Sequence, residues 1–259
     1  MQQDPERQTP GAGRKKYVSL DRDPSTGRTN RSEVISVFTY NPITAYDADD
    51  ALQRFGRLKI EATSFTISEP ATSLEIAPII YDSASENAKK ILKETYAVAP
   101  FAIMTLTMER IFIDKIFAAE AYVRRSSEPQ RAFEAAKHIY DLTVMIQQAN
   151  IRQLLTDEMQ VRKLLNIRVE EEKRRLDGIP NVMPKEFTFF KTATDNADVR
   201  KAYTVMQGQY VLRPEDRIEY DIAMSALSEI HTALAHNKAW MMYEPGEESQ
   251  HHISQQNNK

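Results

Sequence analysis

Lys115 falls near the centre of a stripe that Met108, Ile111, Phe112, Ala119 and Tyr122 form at helical spacing. A lysine placed there faces inward, and a fixed cation aimed into a cleft can neutralise a triphosphate. The plainer alternative is a packed stem whose ammonium reaches solvent or a carboxylate. Asp141 lies between one stripe of Ala135, Ile139, Leu142 and Ile146 and another of Phe133, Tyr140 and Val144. A carboxylate so flanked is rarely left unpaired, and Lys115 and Lys137 are the cations it could bridge. Because Lys115 and Asp141 face inward on consecutive helices joined by the short link from Arg124 to Pro129, the expectation is that they meet. His138, one turn before Asp141, reads as a satisfied histidine rather than a ligand. Glu61 shares a strand face with Lys59, while Leu58, Ile60 and Ala62 take the other. It sits either on a solvated face or at a metal, since phosphoryl-transfer enzymes use such carboxylates to hold Mg²⁺.

These side chains need elements to carry them. Residues 34–39 and 58–65 are β-branched or alternating runs and predict two strands of one sheet. Residues 73–80 and 101–105 add short strands, with a helix or loop over 85–96 between them. After Thr105 the hydrophobic period changes: Thr107 is an N-cap, with Leu106 and Ile111 placed as a hydrophobic staple, for a helix running to about Arg125. Further helices are expected over 130–149, 156–177 and 214–239, and a short one near 197–206. The reading is an α+β chain, a small mixed sheet followed by a helical bundle. It divides into a flexible segment over 1–32, a first domain over 33–150, a helical domain over 151–243 and a disordered tail over 244–259.

Composition narrows the chemistry. Thirty-four basic against thirty-seven acidic residues leave a formal charge of -3, so nucleic acid must be met by a local patch rather than a global field. The absence of cysteine excludes a disulfide, a thiolate zinc site and a cysteine nucleophile, and fits a reducing cytoplasm. No secretory core segment and no stretch of membrane-spanning length is present, so the expectation is a cytoplasmic protein with no membrane partner.

Three pieces occur in order over residues 55–150: Leu58–Lys59–Ile60–Glu61, then the run from Leu106 to Ala119 that contains Glu109, Arg110 and Lys115, then Lys137–His138–Ile139–Tyr140–Asp141–Leu142. Together they resemble the AbiEii/AbiGii toxin family. The resemblance implies a polymerase-β-like nucleotidyltransferase domain ahead of a helical domain, acting as the toxin of an abortive-infection or toxin–antitoxin pair. It implies Mg²⁺ and an NTP substrate, an acceptor such as tRNA and a cognate antitoxin partner. By the same carry-over Lys59 and Lys115 bind the nucleotide, with Lys115 on the phosphates. Asp141 supports the transfer or positions the lysine, and Glu61 is the third carboxylate of the metal site.

Members of that family carry, well upstream of the Lys-x-Glu strand, a Gly-rich turn and a Ser-x-Asp-x-Asp pattern whose aspartates hold the metals. Here Ser19–Leu20–Asp21–Arg22–Asp23 has those letters after Gly11 and Gly13, but its flanks are polar and no strand pattern carries it. Asp47–Ala48–Asp49 is a second candidate, too near Glu61 for an intervening helix. The expectation is a truncated or decayed toxin, weak in transfer because Glu61 alone cannot hold two metals. The alternative is a non-catalytic remnant that grips a partner protein or RNA.

Overall fold

The β-branched run beginning at Glu33 becomes the centre of a four-stranded sheet in the computed structural model, which describes residues 21–22, 28–29, 33–39, 57–63, 67–174, 183–211 and 213–244. Contacts divide the chain into two units, Met1–Ser64 and Phe65–Lys259.

In the first unit the strands are β1 (Asp21–Arg22), β2 (Arg28–Thr29), β3 (Glu33–Thr39) and β4 (Arg57–Thr63). Short β1 and β2 lie along one edge of β3 and β4 along the other, all antiparallel. The stretch at Asp21, where no strand pattern is legible, nevertheless forms β1, with Asp21 and Arg22 paired to Thr39 and Phe38. Asp23, Asp47 and Asp49 lie outside the described residues, as do 1–20 and 245–259. Along β3 the side chains alternate in burial, Ile35 and Val37 being buried while Val34 is exposed.

The second unit opens with β5 (Ala71–Ile76) and β6 (Phe101–Leu106), an antiparallel pair separated by α1 (Ile79–Asp82) and α2 (Glu86–Tyr96). The α+β class is thus the one adopted, but the single mixed sheet expected over 34–105 is two antiparallel sheets. The strand expected over 73–80 stops at Ile76 because Pro78 starts α1, and α2 returns the chain so that β6 runs back along β5.

Helices fill the remainder: α3 (Met108–Val123), α4 (Pro129–Met145), α5 (Ala149–Thr156), α6 (Glu158–Arg174), α7 (Phe189–Thr192), α8 (Ala197–Tyr210), α9 (Tyr220–His236) and α10 (Lys238–Met241). Local caps set where several of these helices start. Asp157 accepts Gln160 N at 2.9 Å and starts α6 afresh after α5, and Asn237 accepts Trp240 N at 3.1 Å and starts α10 after α9. Pro214 opens a single 3₁₀ turn, so α9 begins at Tyr220. A continuous core runs from Phe112 of α3 through Ile139 and Leu142 of α4, Leu154 of α5 and Leu164 of α6 to Leu227 of α9 and Trp240 of α10. It crosses residue 150 without a break. Each fully buried Ile or Leu there contributes roughly 2 kcal/mol by leaving water. Among the described residues no helix is long and apolar enough to cross a membrane.

Candidate active site

Thr107 caps α3, its hydroxyl accepting Arg110 N at 3.3 Å. Below that cap the buried face is formed by Phe112, Ile113, Ile116, Phe117, Ala119 and Val123. The stripe drawn through Met108, Ile111 and Tyr122 is therefore the margin of that face rather than its middle, because Ile113, Ile116 and Phe117 bring more apolar surface one step round the helix. Lys115 sits at the margin, 28% exposed. Its stem packs and its ammonium crosses to α4.

There Nζ meets Asp141 Oδ2 at 2.6 Å, with Asp141 17% exposed. The expected meeting of the two residues is found, and of the two cations considered Asp141 takes Lys115. Lys137 instead bonds Glu134 at 3.0 Å and lies 5.5 Å from the Tyr210 ring centroid. The stripe of Ala135, Ile139, Leu142 and Ile146 is fully buried, which rotates Asp141 to the rim of the core beside α3 and α8. A lysine ammonium has three donors, so Lys115 can hold Asp141 and still present N–H groups to a phosphate.

Around the pair lie aromatic rings. His138 stacks on Tyr122 at 5.4 Å, with planes 15° apart. Burial first, then the charges of Lys115 and Lys137, push its pKa down to about 3, so it is neutral. It is a packed histidine rather than the satisfied one read from the sequence, its buried Nδ1 having no hydrogen-bond partner among the described residues. Tyr210, the last residue of α8, meets Tyr140 edge to face at 6.3 Å. Its hydroxyl pKa is raised above 10, by burial first and then by the Asp141 and Glu134 carboxylates. Tyr140 in turn donates to the Asp216 carbonyl at 3.0 Å.

Two features were not read from the sequence. Tyr210 is one, since nothing about the end of a short helix signals that its ring meets Tyr140 and Lys137 of α4. The other is a buried ionic network: Arg110, fully buried, bonds Asp114 and Glu171, while Arg168 bonds Glu171 and Glu172. Glu171 also accepts Ile67 N at 2.6 Å, pinning the chain where it enters the second unit. The i,i+4 spacings of Arg110 with Asp114 and of Arg168 with Glu172 were the available signal.

In the first unit the register decides which residues share a face. Asp21 pairs with Thr39, which pairs with Arg57; Val37 pairs with Lys59; Ile35 pairs with Glu61. Directly paired residues lie on one face, so Asp21, Lys59 and Glu61 occupy the face on which Ile35 and Val37 are buried. The opposite face carries Ile60, 52% exposed. Asp21 and Glu61 nevertheless sit four positions apart along β3 and on either side of it, about 16 Å from Cα to Cα at standard sheet spacings.

A sequence model of the family described as "Nucleotidyl transferase AbiEii toxin, Type IV TA system" matches residues 7–233, a span holding β1, β4, Lys115 and Asp141. The chain belongs to the AbiEii family. No curated protein and no solved structure matches it. An AbiEii chain is a toxin nucleotidyltransferase of a type IV toxin–antitoxin system, which implies an antitoxin partner. The match begins upstream of Asp21, so the Ser19–Asp23 stretch falls within the family's own span.

Proposed function

We propose that this AbiEii chain binds an NTP against Lys115 and transfers its nucleotide, slowly, to an acceptor such as tRNA in the cytoplasm. The observation that carries the reading is the 2.6 Å pair of Lys115 and Asp141 inside the helices matched by the family. Asp141 holds the ammonium in one place, and a positioned cation stabilises a transferring phosphoryl group without reorganising at the moment of reaction. Lys59, two residues before Glu61 on the same face of β4, is a second cation for the nucleotide. Mg²⁺ supplies neutralisation of the phosphates when bound, and Asp21, Asp23 and Glu61 are the carboxylates assigned to it. The spacing of Asp21 and Glu61 on β3 is the ground for expecting slow transfer. That same spacing favours a second reading, a non-catalytic remnant that grips a partner protein or RNA.

Incubation with each of four radiolabelled NTPs, Mg²⁺ and total tRNA, comparing the parent with Lys115→Ala, separates these. Weak labelling by the parent and none by the variant is the expected result. Binding of NTP without any transfer supports the remnant, and equal labelling by parent and variant removes Lys115 from the reaction.

A further inference from the structure

Every residue from Ile67 to Glu109 is at least partly exposed, although this stretch forms β5, α1, α2 and β6. Its elements are well made: six registered pairs join β5 to β6, and the Ser85 hydroxyl caps α2 by accepting Ala88 N. Yet α2 has no buried residue. Among the described strands β5 and β6 have only each other. A two-stranded sheet is marginal in water unless something covers it, because too little apolar burial offsets the entropy of ordering it.

The register sorts the pair into faces. Thr72 with Thr105, Leu74 with Ile103 and Ile76 with Phe101 are direct partners, so they share one face. Glu75, the single charged residue of the two strands, takes the other. On the first face Leu74, Ile76, Phe101 and Ile103 are between 40% and 51% exposed, and Ile79 and Ile80, which follow β5, are 85% and 62% exposed. With about 200 Å² for a fully exposed large apolar side chain, these six present roughly 650 Å² to water. A soluble monomer seldom leaves more than a few hundred Å² of apolar surface together.

We propose that this face is where two copies of the chain meet about a two-fold axis. Two such faces remove about 1,300 Å² from water, inside the range of roughly 1,200–2,000 Å² that a stable interface buries. Charge fits as well. A two-fold contact sets a surface against its own copy, so a face of one sign would repel itself. This face carries no charge, and α1 and α2 hold three acidic residues, Asp82, Glu86 and Glu94, against three basic ones, Lys89, Lys90 and Lys93. The surroundings of the contact therefore bring equal numbers of both signs together. None of these residues is assigned to the nucleotide or the metal, so the inference stands apart from the transfer reading.

The test is the mass of the full-length chain in solution, by sedimentation equilibrium across micromolar concentrations. The parent should approach twice 29.7 kDa. Ile103→Glu sets a carboxylate into each half of the contact and should raise the dissociation constant at least about a hundredfold. Its helical ellipticity and Trp240 emission should match the parent's, since Ile103 is exposed in the single chain. Ile60→Glu, on the exposed face of the other sheet, should leave the paired mass unchanged. Leu74→Lys, on the same face as Ile103, serves if Ile103→Glu folds poorly. A parent of single-chain mass overturns the proposal. In that case a lower melting midpoint in Ile103→Glu would assign the cover to the chain itself, and an unchanged midpoint would leave the face to a different protein. Pairing that survives both Ile103→Glu and Leu74→Lys places the interface elsewhere and overturns the proposal too.

Discussion

Two ionic arrangements in this protein differ in what water leaves of them. Lys115 and Asp141 are each partly exposed, so their attraction is screened and an exchange for neutral residues costs about 1 kcal/mol or less. Arg110 is fully buried, and Glu171 is 2% exposed. Removing Arg110 leaves the Glu171 charge to Arg168 in a dry interior and empties a fully buried site, a loss of about 3 kcal/mol. Urea denaturation should therefore give Lys115→Ala nearly the parent's midpoint and Arg110→Ala a much lower one. Comparable losses in the two variants would mean that the 2.6 Å pair is a structural clasp and would weaken its assignment to nucleotide binding. Lys115 and Asp141 were legible because each interrupts an apolar pattern, which singles out a charge that must be compensated. The choice of partner was not, because Lys137 has the same spacing argument, and Glu134 and the Tyr210 ring, which draw it aside, belong to a surface only packing reveals.

Among the elements, β3, β6, α3 and α8 lie where hydrophobic period and caps place them, since those signals are local. The helix expected over 214–239 is cut, α9 starting at Tyr220 after the Pro214 turn and α10 starting afresh at the Asn237 cap, because a polar side chain that bonds the backbone of its own next turn outweighs continued periodicity, while α6 follows the expectation over 156–177 and α4 stops at Met145. Asn237 shows how much such a residue does. Its oxygen caps α10 through Trp240 N, and its amide, buried, donates to the Leu155 carbonyl at 3.0 Å and so ties α5 to α10. Asn237→Ala should cost about 2–3 kcal/mol, the sum of a lost cap and an orphaned buried carbonyl. Asn237→Ser should recover the cap alone. Circular dichroism melts of the pair give the two contributions, and a melt of the alanine variant matching the parent would contradict the tie.

On the scale of the molecule, the continuous core from Phe112 to Tyr243 makes the helices of the second unit one cooperative body. Its sole tryptophan, Trp240, is buried edge-on to Phe187 and reports on that body from its far end. Leu142→Ala, in α4, opens a cavity in a fully buried site and should lower stability by about 2–5 kcal/mol. Trp240 fluorescence and helical ellipticity should shift together in that variant; separate transitions would show α4 and α10 to be uncoupled. The first unit is smaller and more ladder-dependent, and its positions of Asp21 and Glu61 were beyond sequence reading because register depends on which edge of β3 each short strand takes. Strand β4 has β3 as its only partner among the described strands. In sequence, Arg57, Lys59 and Glu61 put a charge at every second position of β4, a pattern by which edge strands resist pairing with other chains. An alanine at Lys59 or Glu61 removes one charge of that pattern along with whatever chemistry the residue supports.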